Sequence, residues 1–268
     1  RTSELIAALV AKHFADDEFA VVLGDTEVGR AFAATKFDHL FFTGSTAVGK
    51  AISAAASGTL KKVALELGGK NPQVIFPDAD LESAADAVSF GIYLNAGERC
   101  NSGSRIIVHQ DIAEDFVARV VALSAQVPFG DPLDPRTQVG AIISTAHQGK
   151  IDAYVKEAEA AGATVRMGGS GFSVPGLGGQ FYQPTVVSNV RPDMAIAREE
   201  VFGPVLSVMT FKTLEEAIAL ANDASYGLSA GIWSENIHTC MEFARRVHAG
   251  TIWTNTWMDG YPEMPFGG

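Results

Sequence analysis

The chain has 268 residues, 47% of them apolar and 19% charged, enough to bury one large core or two ordinary ones. Twenty basic against 31 acidic residues give a net charge of −11, which argues against nucleic acid and anionic membrane as partners. No apolar run approaches the roughly 18 residues of a membrane span, and the first residues lack the charged start and apolar stretch of a signal peptide. The two cysteines, Cys100 and Cys240, make no C-x-x-C pair or disulfide framework, and so favour a reducing, cytoplasmic setting.

In chain order, helices and strands alternate as in an α/β protein. Thr2 or Ser3 is placed to cap a first helix beginning Glu4-Leu5-Ile6-Ala7-Ala8-Leu9-Val10, whose apolar spacing is near 3.6. Residues 19–24 read as a short apolar strand ending at Gly24, 26–34 as a helix, 39–43 as a second strand, and Ser45 as the start of a helix through Ala56. A strand, a glycine turn and a helix start can hold a pyrophosphate on backbone N–H groups. Gly44-Ser45-Thr46-Ala47-Val48-Gly49 is not the G-x-G-x-x-G fingerprint, however; its glycines fill only the first and sixth places. A third strand over 61–65 leads to Glu66, and the chain is expected to leave this first domain near Gly69.

The Asp78-Ala79-Asp80-Leu81 run caps a helix over 83–94 that delivers the turn carrying Cys100. Further on, the pattern predicts strands at 105–109, 205–211, 229–233 and 251–255, and helices at 112–125, 148–161, 214–222 and 237–248. The stretch 168–179, with six glycines and one proline, reads as a loop. No internal repeat or low-complexity segment is present.

Two strings carry chemistry. Cys100 sits in Asn95-Ala96-Gly97-Glu98-Arg99-Cys100-Asn101-Ser102-Gly103-Ser104-Arg105, and Glu66 in Leu65-Glu66-Leu67-Gly68-Gly69-Lys70. A thiol needs a nearby cation, helix start or base to become a thiolate nucleophile, and Arg99 and Arg105 flank it. Taken singly, a lone cysteine is usually a core residue and a lone glutamate a solvated one. Cys240 lies among Ile237, Met241 and Phe243 at helical spacing and reads as core. The six histidines show no ligand spacing. His13, His109, His147, His238 and His248 read as surface or helix-end groups, and His39 as structural. With no H-E-x-x-H, C-x-x-C or G-x-S-x-G, neither a metal site nor a serine elbow is expected.

Taken together, the two strings resemble the signatures of the aldehyde dehydrogenase superfamily. Phe42-Thr43-Gly44-Ser45-Thr46-Ala47-Val48-Gly49, Asp131-Pro132-Leu133-Asp134 and Gln183-Pro184-Thr185-Val186 follow the family's order. So do Glu199-Glu200-Val201-Phe202-Gly203-Pro204-Val205, Asn222-Asp223-Ala224-Ser225-Tyr226-Gly227-Leu228 and Pro265-Phe266-Gly267-Gly268.

The resemblance implies an α/β fold with part of a Rossmann-type nucleotide domain over 1–68. A catalytic thiol domain over 69–254 and a return segment over 255–268 complete it. It implies NAD-dependent oxidation of an aldehyde to a carboxylic acid, NADP being the other cofactor the pattern allows. Cys100 would be the nucleophile and Glu66 the base that activates water. Gly24, Gly44, Ser45, Gly49, Leu67 and Gly68 would contact the cofactor, with Glu200 on the nicotinamide ribose and Phe202 by the nicotinamide ring. Tyr93, Leu94, Arg99, Asn101, Trp257 and Phe266 would line the substrate pocket, an aromatic wall suited to apolar or aromatic aldehydes.

Residues 1 to about 50 are similar to the branch that oxidises aromatic aldehydes such as coniferyl aldehyde, and those from about Leu65 onward to the betaine-type and general branch. The family pattern further implies N-terminal strands, a cofactor-contacting lysine and an oxyanion-holding asparagine before Arg1. Beyond Gly268 it implies an oligomerisation strand, the whole being a homodimer or homotetramer. An acylating enzyme that uses coenzyme A in place of water is an alternative that Glu66 opposes. A structural relative without turnover is a second, opposed by the presence of Cys100, Glu66 and Glu200 together.

Overall fold

The computed structural model describes residues 1–268, which divide into two compact units, Arg1–Leu67 and Gly68–Gly268. No helix is long and apolar enough to cross a membrane.

The first unit contains α1 (Thr2–His13), α2 (Thr26–Ala34), β1 (His39–Thr43), α3 (Thr46–Ser57) and β2 (Lys62–Glu66). β1 and β2 pair in parallel, Thr43 opposite Glu66, with α3 as the crossover between them. The helix starts follow from their caps. The Asp25 carboxylate accepts the Glu27 and Val28 N–H groups, and the Ser45 hydroxyl accepts from Val48. The start of α1 differs from expectation. Its N-cap position is Arg1, without a side-chain cap, so neither Thr2 nor Ser3 performs that role. The expected strand over 19–24 is also absent: those residues pair with no ladder, since the sheet here consists of β1 and β2 alone. An apolar run becomes a strand only when a neighbour takes its N–H and C=O groups. Lys61, nearly buried, donates from Nζ to the carbonyls of Ala33 and Thr35 at 2.6 Å each, closing the C-terminal end of α2.

The second unit runs β3 (Pro72–Ile75), α4 (Leu81–Tyr93), β4 (Arg105–His109), α5 (Ala113–Ser124), α6 (Thr145–Ala160) and β5 (Thr164–Met167). It continues through β6 (Gly171–Phe172), β7 (Phe181–Tyr182), β8 (Thr185–Ser188), α7 (Ala195–Arg198) and β9 (Val205–Phe211). It ends with α8 (Leu214–Asn222), β10 (Ser229–Trp233), α9 (Ile237–Arg246) and β11 (Thr251–Thr254). Seven strands form one sheet in the order β11-β10-β3-β4-β9-β8-β5, parallel throughout except for β5 against β8. Val74, Ile75, Ile106, Ile107 and Val108 are fully buried at consecutive positions, so both faces of the central strands are covered. Each such side chain contributes about 1.5–3 kcal/mol by leaving water.

Several expected elements occupy the stated residues, among them β9, α8 and β10. β3 was not foreseen. The glycine-rich stretch 168–179 departs from a pure loop, since Gly171 and Phe172 pair with Tyr182 and Phe181 as a short antiparallel ladder. α6 starts three residues before the expected position because Ser144 caps it, accepting the His147 N–H. Cys240 is buried in α9 as expected, and burial pushes its thiol up from the ordinary value.

Candidate active site

In the second unit, four stretches of chain meet around Cys100. The first is 68–71, which enters β3. Gly69 is where a Cβ could not exist, because it would lie 2.2 Å from the Cys100 carbonyl oxygen. Next, Asn71 donates from Nδ2 to the carbonyls of Cys100 and Ser102 at 2.8 and 2.9 Å. Its Oδ1 accepts from the N–H and hydroxyl of Ser229 at 3.2 and 2.9 Å. One buried amide therefore ties the thiol turn to the first residues of β3 and β10.

The second stretch is the turn itself. After α4 the chain makes a short 3₁₀ segment, Leu94–Gly97, in which Asn95 and Ala96 hold φ of 57° and 56°. Non-glycine residues reach this region at a cost of about 1–3 kcal/mol each and persist only where neighbours hold them. Gly97, at φ 71°, comes so close to Gly203 that a Cβ would stand 2.2 Å from its carbonyl oxygen. Cys100, Arg99 and Asn101 are half-buried at the apex, closed by the Ser102 N–H on the Arg99 carbonyl at 3.2 Å.

The third stretch is 199–204. Glu200 lays its carboxylate along the glycine pair: Oε1 accepts from the Gly69 N–H at 3.0 Å, and a Cβ on Gly68 would sit 2.2 Å from Oε2. Burial raises the Glu200 carboxyl above its usual value, against the opposing pull of the Gly69 N–H and the Lys70 ammonium. Lys70 is itself 1% exposed with no hydrogen-bond partner on Nζ, and burial brings it from 10.5 down to about 7. Beside it, the Tyr154 hydroxyl donates to Glu199 at 2.6 Å. Phe202 also holds a left-handed backbone, φ 56°, and keeps its ring partly exposed.

The fourth stretch is the start of α6, which carries His147 against the Phe202 carbonyl. His147, in the first turn of α6, and His109, which caps the short 3₁₀ turn Gln110–Ile112, are helix-end groups, one of the two readings expected; each side chain is only 16% exposed and bonded to a backbone carbonyl of another segment.

An open cleft of about 630 Å³ lies along α4, bordered by Phe90, Tyr93, Leu94, Leu123, Val127 and Val139. Tyr93 contributes only its edge, since it is 2% exposed and burial raises its hydroxyl. Phe90, not singled out from the sequence, is 52% exposed and stands four residues before Leu94, on the same face of the helix. Trp257 was expected to line a pocket, but it is packed over Gly91, Gly103 and Gly231, where a Cβ would meet its ring within 2.6, 3.2 and 2.8 Å respectively. Phe266 remains exposed.

The first unit holds the other expected residues. Glu66 ends β2, with its carbonyl accepting the Gly44 N–H at 3.2 Å. Gly49 faces Leu67, whose side chain stands 2.6 Å from where a Cβ would be, so only glycine lets α3 come this close to the chain after β2. A hollow of about 360 Å³ is lined by Val21, Val22, Gly24, Val28, Gly29 and Phe32 among others. Its lining is mostly apolar but includes Asp25, and its size admits a flat heteroaromatic ring.

A parallel α/β sheet, a half-buried thiol on a strained turn and a carboxylate laid on a glycine pair define an enzyme-like thiol site. The chain belongs to the aldehyde dehydrogenase family, whose sequence model matches residues 1–268. It is 43% identical over 251 residues to a betaine aldehyde dehydrogenase of Bacillus subtilis, a match covering 92% of this chain and 51% of that protein. The crystal structure of an NAD-dependent aldehyde dehydrogenase from Sinorhizobium meliloti superposes with a TM-score of 0.93 at 46% identity, covering 100% of this chain and 53% of that one. Betaine aldehyde dehydrogenase from Staphylococcus aureus in complex with NAD+ superposes with a TM-score of 0.89 at 39% identity, covering 92% and 50%. The chain thus spans about half the length of the relatives it matches.

Proposed function

We propose that the intact protein oxidises an aldehyde to a carboxylic acid with NAD as electron acceptor, NADP serving as a second choice. The observation that carries this reading is the Cys100 turn held against Gly69, with Glu200 laid on the same glycine pair. Membership of the family and the NAD+ bound by the Staphylococcus aureus relative support it.

The residues fit such a cofactor. Taken by itself, the first unit has a hollow beside Gly24 that suits an adenine and a Ser45-capped start of α3 with Gly44 before it that suits a phosphate; taken by itself, the second has the Glu200 carboxylate, which can accept from ribose hydroxyls. Phe202 keeps its side chain partly exposed, where it can pack by the nicotinamide. Bound NAD would supply the hydride acceptor that converts the Cys100 adduct to a thioester.

The chain's own residues do the rest. The Cys100 thiolate forms the S–C bond to the aldehyde carbon, and the carbonyl oxygen takes the negative charge. After oxidation, Glu66 removes a proton from water, the water oxygen attacks the thioester carbon, and the C–S bond breaks to release the acid and the thiolate. Phe90 and Leu94 line an apolar part of the cleft along α4, whose other walls include Asp86, Gln126 and Gln138, and an apolar or aromatic aldehyde is the substrate class proposed for it. The protein works as a homodimer or homotetramer in the cytoplasm.

The test is Cys100→Ala. Turnover in the intact protein is expected to fall more than about a hundredfold, with NAD affinity by fluorescence titration nearly unchanged. Substantial remaining turnover would refute the role of the thiol.

A further inference from the structure

His147 lies in the first turn of α6, away from every motif that the function above uses, yet its ring is packed between two of them. Its Nε2 is 2.5 Å from the Phe202 carbonyl oxygen, and its ring meets the Phe202 ring edge-on with centroids 6.1 Å apart. The same Nε2 is 3.8 Å from Glu98 Oε1. A carbonyl only accepts, so Nε2 carries the proton and donates it to Phe202.

Glu98 is held in turn from the same direction: its Oε1 accepts from the Ile143 N–H at 3.0 Å, just before the Ser144 cap of α6. Glu98 stands two residues before Cys100, and Phe202 two residues after Glu200. The segments they anchor contain the left-handed residues Asn95, Ala96 and Phe202, and backbone held there needs neighbours that fix it. One ring on a third element thus contacts both the thiol turn and the segment bearing Glu200.

We propose that His147 is a positioning residue that couples the Cys100 turn to the Glu200–Phe202 segment, so that occupation of one is felt at the other. The proposal rests on Cys100 as nucleophile and on Glu200 and Phe202 as cofactor contacts. Coupling of this kind requires an element whose arrangement both sites bias, and the His147 ring, bonded to one segment and next to the carboxylate of the other, is placed to be that element.

The experiment measures the rate of Cys100 alkylation by iodoacetamide in the intact protein, with and without saturating NAD, using Cys240 as internal control. In the wild type, NAD is expected to change the Cys100 rate by at least about threefold. In His147→Leu that ratio is expected to shrink toward one, and in His147→Gln, whose side-chain amide can still donate to Phe202, to be largely restored. Glu98→Gln combined with His147→Leu is expected to add little beyond His147→Leu alone.

A Cys100 no more reactive than Cys240 in the wild type would defeat the proposed function itself. A reactive Cys100 whose response to NAD survives His147→Leu would overturn the coupling role alone. Should His147→Leu fail to fold, the wild-type imidazole decides: a long-range ¹H–¹⁵N spectrum is expected to show the Nε2–H tautomer, and an Nδ1–H tautomer would overturn the proposal.

Discussion

Asn71 donates its amide to the carbonyl of Cys100 at 2.8 Å, while the oxygen of that amide holds Ser229. The thiol is therefore positioned by a side chain at the mouth of β3, an interior strand of the seven-stranded sheet, and not only by its own turn. A loop with strained residues gains its definition from this rigid anchor.

Replacing that amide tests the relationship. Asn71→Ala leaves the Cys100 and Ser102 carbonyls and the Ser229 donors without their buried partner, and is expected to cost about 3 kcal/mol by urea unfolding. Asn71→Asp is expected to be worse for the thiol, because a carboxylate would face two carbonyl oxygens. Slower alkylation of Cys100 in both variants is the expected accompaniment. Unchanged stability and unchanged labelling would show that the amide is dispensable.

Gly68→Ala separates fold from cofactor binding. The added methyl meets the end of the flexible Glu200 side chain, not backbone, so the chain can accept it by turning the carboxylate away. Stability by thermal melting is then expected to fall only by what the lost Gly69 N–H bond to Glu200 contributes, about 1–3 kcal/mol. NAD affinity is expected to fall by about tenfold, which corresponds to about 1.4 kcal/mol. Calorimetric titration beside thermal unfolding reads both, and intact affinity would remove Glu200 from the list of cofactor contacts.

How far such relationships can be read from the sequence depends on their range. Cys100, Glu200 and the glycine pair stand in compact strings and are visible there. Asn71 is hidden because its four hydrogen bonds run to two other segments, Cys100 and Ser102 on one and Ser229 on the other. β3 is short and lies between Asn71 and Phe76-Pro77, so its four residues show no alternation; burial on both faces erases the period-2 signal. Residues 19–24 fail in the opposite way, with the composition of a strand but no ladder partner. The family resemblance implies Tyr93 and Leu94 as pocket walls and says nothing of Phe90. A helix turns 100° per residue, so Phe90 and Leu94 share a face and Tyr93 turns into the core.

Glu66→Gln addresses the water step. If Glu66 is the base for hydrolysis, its loss is expected to leave formation of reduced cofactor fast in the first turnover and to slow release of the acid. Rapid mixing should then show a burst of NADH followed by a slow steady rate. Disappearance of the burst itself would assign Glu66 to an earlier step.

Lys70 supplies a pH dependence whose sign can be worked out. Burial, more than repulsion from Arg105, brings it from 10.5 to about 7, while Glu200 and Glu199 act in the opposite direction. Between about 7 and 10.5 the unfolded chain holds a proton on Lys70 that the folded chain has released. The unfolded state binds more protons in that window, so this group's contribution to stability rises with pH there. Its destabilising effect is fully present below about 7 and fades as pH approaches 10.5. Lys70→Met fills the same space without the charge, and is expected to melt above the wild type near pH 6, by an amount bounded at about 5 kcal/mol. The difference is expected to narrow steadily toward pH 10, leaving the variant's stability curve flatter over that window. Melting temperature by calorimetry at a series of pH values reads this directly. Parallel curves for the two proteins would mean that Lys70 keeps an ordinary affinity for its proton and that its ammonium is solvated or paired in the folded chain.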